Sequence, residues 1–133
     1  MNTVHVVAAG IFTENAGKQH ILATARGYGQ WRGWWEFPGG KIELGETPQE
    51  ALVREIREAL DAEVTVGEEI GTVEYDYPAF HLSMTCYRCR LLSDGFTLKE
   101  AEAAAWLDRD SLFSVNWLPA DLDILREIER KFL

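Results

Sequence analysis

The chain has 133 residues, a mass of 15.1 kDa and a formal net charge of −9. That length supports one domain, 1–133, around one core, and the charge repels the phosphates of a nucleic-acid polymer. With 47% hydrophobic and 26% charged residues the composition is that of a soluble globular protein, and no run of about eighteen apolar residues offers a membrane span.

In chain order, residues 3–12 are apolar and β-branched and read as a buried strand. The N-terminal MNTVHVVAAGIF carries no basic region, so no signal peptide is expected. Asn15 to Lys18 is a turn, and residues 20–25 resume a strand. Residues 27–33 hold three glycines and read as a loop. Trp34 to Phe37 is a short strand leading into a Pro38-Gly39-Gly40 turn. A helix is predicted over 48–60, and a strand starts at Val64 and breaks at Gly67. Residues 70–77 and 80–92 alternate with period two and form a hairpin joined near Pro78-Ala79. A turn at 93–95, a short strand near Ala103–Leu107 and a polar helix start at Asp108 follow. Residues 119–133 are an amphipathic helix, with Leu122, Leu125, Ile128 and Phe132 at helical spacing. Strands flanking two helices in this order predict an α/β fold, an α/β/α sandwich around a mixed sheet. Cys86 and Cys89 form a lone C-x-x-C. On a strand, positions three apart face opposite ways, so two reduced, structural cysteines in a cytoplasmic protein are expected.

The segment from Gly39 to Val64, GGKIELGETPQEALVREIREALDAEV, carries the chemistry. Glycines at 39 and 40 let the backbone approach a ligand closely. Thr47, Pro48 and Glu50 form a helix start with a capping box. Arg54, Glu55, Arg57 and Glu58 follow over barely more than one turn. Several oxygen donors on one rigid element suit a hard divalent cation, and such a cation inverts the local field for a small nucleotide. On a helical wheel Glu55 falls between Ala51 and Ala59, at the edge of the apolar arc. A carboxylate there either pairs with an arginine at the rim or faces a metal. Ala59, read alone, is an ordinary core alanine.

This segment resembles the box of the Nudix hydrolases, with Gly40, Glu46, Arg54, Glu55, Ile56 and Glu58 in register. Two positions depart from the pattern. Ala59 stands where the family has a metal-binding Glu, and Asp61 stands where it has Gly. Asp tolerates the left-handed conformation that a helix C-terminus often needs. The resemblance extends through LKEAEAAAWL and LPADLDIL and is closest to the MutT-like and CTP pyrophosphohydrolase branch. It implies the Nudix sandwich fold and a metal site of the Gly39 carbonyl, Glu55, Glu58 and Glu100, holding Mg2+ or Mn2+. Register favours Glu100, six before Trp106, over Glu102. Arg54 would hold the catalytic glutamate with help from Glu46, or simply pair along the helix with Glu58 or Glu50. Arg26 and Lys41 would grip phosphate, unless they are merely solvated.

Asp121 stands where this branch addresses the base, and equally where a first-turn acid suits a helix dipole. Phe37, Trp34 and Trp35 offer rings for stacking on a base, or for the core. The function implied is hydrolysis of a nucleoside triphosphate, CTP-, dCTP- or oxidised-dGTP-like, to the monophosphate and pyrophosphate. The alternatives are a hydrolase of dinucleoside polyphosphates or nucleotide sugars, and a nucleotide-binding module without turnover, which Ala59 favours. A purely structural protein ranks last. The expected partner is a small nucleotide, with neither nucleic acid nor membrane, and the chain a monomer or homodimer.

Overall fold

A computed structural model describes residues 2–133. Its strands are β1 (Thr3–Asn15), β2 (Lys18–Arg26), β3 (Trp35–Glu36), β4 (Gly39–Lys41), β5 (Val64–Tyr77), β6 (Phe80–Leu91) and β7 (Ala101–Leu107). The helices are α1 (Pro48–Leu60) and α2 (Pro119–Phe132). The seven strands form one mixed sheet whose main order is β3-β2-β1-β6-β5; β4 pairs with β1, and β7 with β2. β1 runs parallel to β6 and antiparallel to β2 and β4.

β1 reads as continuous hydrophobicity because both its faces are covered. Val7, Ala9 and Ile11 pack with Leu22 against Ala51, Leu52, Ile56 and Leu60 of α1. Ala8 and Phe12 pack with Ile21, Ala23 and Met84 against Ile124, Leu125 and Ile128 of α2. The result is the three-layer α/β/α sandwich expected from the element order. Cys86 falls in the α2-side core and Cys89 in the α1-side core; both are buried free thiols. Burial pushes both thiols up, Cys89 to about 12, so neither ionises at neutral pH.

The β1–β2 connection is the turn expected over Asn15 to Lys18. Ala16 and Gly17 both have positive φ, 53° and 80°, the requirement of a two-residue primed turn that matches strand twist. Three elements differ from expectation. Gly67 does not end a strand: β5 runs on through it, and the register against β6 shifts between Val66 and Glu69. A bulge absorbs the glycine. Pro38-Gly39-Gly40 is not a free turn, because Gly39–Lys41 pairs with Val6–Ala8. A Cβ on Gly39 would collide with the Val7 carbonyl and lie 2.9 Å from the Ala8 Cα. At Asp108 no helix starts. Its Oδ1 accepts from the Ser111 N–H and hydroxyl, both at 3.0 Å, and only a single 3-10 turn follows at Leu112–Ser114. An Asp that bonds the backbone locally competes with helix formation.

Candidate active site

α1 begins as its residues dictate. The Thr47 Oγ accepts from the Glu50 N–H at 3.1 Å, and the Glu50 carboxylate accepts from the Thr47 N–H at 2.9 Å. The helix ends with Asp61 in the left-handed region at φ 49°, its N–H donating to the Arg57 carbonyl at 3.0 Å. Asp thus adopts the conformation anticipated for it in place of glycine. The carbonyls of Ala59 and Leu60 accept from the N–H groups of Lys99 and Thr97. Those bonds satisfy the open end of the helix and bring the chain that carries Glu100 against it. At the same place Gly27 follows the end of β2, where a Cβ would lie 2.8 Å from the Glu100 carbonyl.

Arg54 is the hub of the loop between β4 and α1. Its Nε and Nη2 donate to the two oxygens of Glu46 at 2.7 and 2.9 Å. Nη2 also donates to the Lys41 carbonyl at 2.9 Å, and Nη1 to Glu55 Oε1 at 2.9 Å and Glu58 Oε2 at 3.3 Å. The bidentate pair raises the Arg54 pKa further and lowers that of Glu46. Glu55 therefore does pair with an arginine, and it does so inside the site. Its carboxylate, 16% exposed, lies directly over Gly40, where a Cβ would come within 2.6 Å of Oε1. Burial raises the Glu55 pKa first; Arg54 opposes the shift, and Glu58 and Glu100 add to it.

A cavity of about 740 Å3 opens beside this cluster, within the range of a small-molecule site. Gly39, Gly40, Lys41, Glu55, Ala59 and Glu100 line one part of it. Phe37 and Asp121 line another, with Tyr28, Trp31, Tyr77 and Phe80. Ala59 is half-buried at the cavity wall, one helical turn after Glu55, and not a sealed core residue. Glu58 is 54% exposed and lies outside the lining. Glu100 reaches the cavity, whereas Glu102 stands by Gly33, away from it.

Arg26 lines the cavity, but Glu36 takes its Nε and Nη2 at 3.1 and 2.7 Å. Phe37 is buried against Trp117 with centroids 4.7 Å apart. Trp35 packs on the α2-side core and does not line the cavity. Asp121 is 4% exposed. Its Oδ1 accepts from the Phe37 N–H at 3.2 Å, and burial pushes its carboxyl up to about 8. It is no ordinary first-turn acid. Trp31, Tyr77, Phe80 and Glu36 were not singled out in the sequence, although WRGWWEF hinted that one tryptophan stands outside the core.

The donor set suits a hard divalent cation. In the β1–β4 ladder the Ala9 N–H donates to Pro38 and the Ile42 N–H to His5. Gly39, opposite Ala8, therefore sits in a non-hydrogen-bonded pair, with its carbonyl turned away from β1. The nearby carboxylates of Glu55 and Glu100 are oxygen donors too. Among the described residues, no three acidic, His or Cys side chains already stand at ligand spacing.

A NUDIX domain model matches residues 4–132. The CTP pyrophosphohydrolase of Escherichia coli K12 is 32% identical over 125 residues, 94% of this chain and 90% of that one. An 8-oxo-dGTP diphosphatase of Proteus vulgaris is 44% identical over 55 residues, a match that spans 41% of this chain and 49% of that one. The solution structure of the E. coli ORF135 protein superposes with a TM-score of 0.80 at 30% identity, over 98% of this chain and 91% of that one. By its box, its sandwich and its relatives along nearly its whole length, the chain belongs to the Nudix family and is a hydrolase of phosphoric anhydride bonds.

Proposed function

We propose that this single domain is a metal-dependent nucleoside triphosphate pyrophosphohydrolase that releases a nucleoside monophosphate and pyrophosphate from a CTP-, dCTP- or oxidised-dGTP-like substrate. One observation carries the reading. A single cavity joins an oxygen-donor cluster, Gly39, Glu55 and Glu100, to an aromatic wall with one buried carboxyl, Asp121. A phosphate chain and a base need those two surroundings in one site. The named activities of the E. coli and P. vulgaris relatives agree with this substrate class.

The Gly39 carbonyl, Glu55 and Glu100, with Glu58 at the rim, would hold Mg2+ or Mn2+, which would supply charge neutralisation and a more acidic water. The chain's own residues do the rest. Arg54 fixes the Glu55 rotamer through Nη1, and Glu46 fixes Arg54. Glu55 or Glu100 orients the attacking water and takes its proton. The water oxygen bonds to phosphorus as the bridging P–O bond breaks, and the leaving group, the nucleoside monophosphate for attack at the β-phosphorus or pyrophosphate for attack at the α-phosphorus, carries the electron pair. Lys41 sits beside the glycines to meet phosphate as a point charge. Arg26 retains only its Nη1 side for the same task, because Glu36 holds the rest of its fork. Asp121 addresses the base.

A cytoplasmic, monomeric or homodimeric protein acting on free nucleotides fits the two reduced thiols. No helix of the described residues is long and apolar enough to cross a membrane. A second reading, a nucleotide-binding domain with little turnover, is favoured by Ala59 alone, since losing a ligand carboxylate costs one to three orders of magnitude by analogy with ligand-shell changes, roughly. Pyrophosphate release with Mg2+, with Mn2+ and with EDTA, over CTP, dCTP, 5-substituted dCTP, dGTP and 8-oxo-dGTP, tests both. Turnover by the chain and more by Ala59→Glu supports the hydrolase. Nucleotide binding with no release from either protein supports the module.

A further inference from the structure

We infer that Trp31, braced by Tyr77, is the surface on which the substrate's base stacks, and that it sets nucleotide affinity independently of the phosphate-binding residues. The inference rests on the nucleotide reading above and assigns its base contact to residues other than Phe37 and Trp35.

Trp31 lies in the loop between β2 and β3 and lines the cavity. That loop is closed at its base by Gly33 N–H to Arg26 carbonyl and Arg26 N–H to Trp34 carbonyl, both 2.8 Å. Gly29 and Gly33 take positive φ of 77° and 86° within it, which a chain folding back on itself requires. Trp31 meets Tyr77, which also lines the cavity from the tip of the β5–β6 hairpin, with centroids 6.0 Å apart and planes at 68°. Trp34 meets it at 5.0 Å and 86°. Both contacts are edge-on, so no aromatic neighbour of Trp31 in these pairs lies parallel to it. Tyr77 in turn stacks on Phe80 at 5.3 Å and 27°. Its hydroxyl accepts from the Ala120 N–H at 3.4 Å, one residue before Asp121. A single connected set thus lines the cavity, with a half-buried indole at one end and a buried carboxyl at the other. A flat heteroaromatic ring with a hydrogen-bonding edge matches both. A phosphate chain matches neither, being charged and without a π-face.

Phe37 and Trp35 do not compete for this role. The first is buried on Trp117, and the second faces the α2-side core.

The test compares the chain with Trp31→Leu and Trp31→Phe, all checked for native melting. Equilibrium binding of CTP, 8-oxo-dGTP and base-free tripolyphosphate is measured with Mg2+, and kcat and KM are measured on the nucleotides. Trp31→Leu should weaken nucleotide binding and raise KM by roughly tenfold or more, with kcat nearly unchanged. Trp31→Phe should restore most of it, and tripolyphosphate should bind all three equally. Equal loss of tripolyphosphate and nucleotide would overturn the inference by making the loop a general support. So would unchanged nucleotide binding in Trp31→Leu, which leaves the hydrolase reading intact. Binding that falls as expected in a chain without turnover would keep the stacking surface and remove the hydrolase reading.

Discussion

A methyl group decides the outcome at Gly40. Its Cα lies so close under the Glu55 carboxylate that a Cβ would sit within 2.6 Å of Oε1. Arg54 holds that carboxylate by one of its oxygens, so yielding to the methyl group means giving up or remaking that bond. Gly40→Ala should cost about 1–3 kcal/mol of stability and displace Glu55. A thermal melt and a pyrophosphate assay on the same sample read both effects, and a variant with native melting and full turnover would refute the packing argument. Asp121 offers a second test. Burial lifts its carboxyl from 3.8 to about 8, so the folded chain binds more protons than the unfolded one between those values. Stability from this group is complete below about 4 and falls as pH rises through about 8. Asp121→Asn keeps an oxygen for the Phe37 N–H and removes the titration. Denaturant midpoints should drop from pH 5 to 9, taken as about one unit above each of those two values, more steeply for the wild type than for the variant. Equal slopes would place the proton elsewhere.

At the scale of elements, local signals and long-range ones part company. α1 was legible end to end, because Thr47, Pro48, Glu50 and Asp61 each act within a turn of their own position. The 3.6-residue spacing of α2 and the period-two hairpin were legible for the same reason, although Leu122, expected on the apolar face, is exposed and Ile124 is buried. β4 was not: three residues pair with β1 across more than thirty positions, and Pro-Gly-Gly alone reads as a turn. Gly67 is a break in composition and a bulge in fact, since only the partner strand supplies the continuity. The site divides likewise. Gly39, Gly40, Arg54 and Glu55 share one local motif and stood out. Glu36 and Trp31 owe their places to Arg26 and Tyr77, which no spacing rule connects to them. Locality also makes α1 testable. Thr47→Ala removes an N-cap bond and one half of the box, and should cost about 1 kcal/mol. Asp61→Gly relieves a non-glycine residue at positive φ and should gain about 0.5–1 kcal/mol. Chemical denaturation of both variants would show opposite shifts; two losses would mean that the Asp61 side chain holds the helix end by a contact of its own.

Across the whole molecule, the charge of −9 sets the terms on which substrate and metal arrive. A triphosphate approaches a surface of its own sign, and the field is reversed only where a cation sits. On the proposed reading the cation site would be a binding determinant as much as a chemical one, and it ought to be visible without any nucleotide. An ion that binds the folded chain alone stabilises it by mass action, about 2.7 kcal/mol at a hundred times its dissociation constant. For a chain of this size that is a rise of about 5–15 °C in Tm. Any salt screens the mutual repulsion of surface carboxylates and raises Tm a little, so the comparison is Mg2+ or Mn2+ against K+ at equal ionic strength. The divalent ions should give the larger rise. Glu55→Gln should erase the difference while leaving the K+ response in place, because it removes one donor among many charges. Ala59→Glu should enlarge the difference, since it adds a carboxylate one turn along the same cavity wall. If Mg2+, Mn2+ and K+ stabilise all three proteins alike, the acids around Gly39 are a charged surface and not a metal site, and the hydrolytic reading loses its centre.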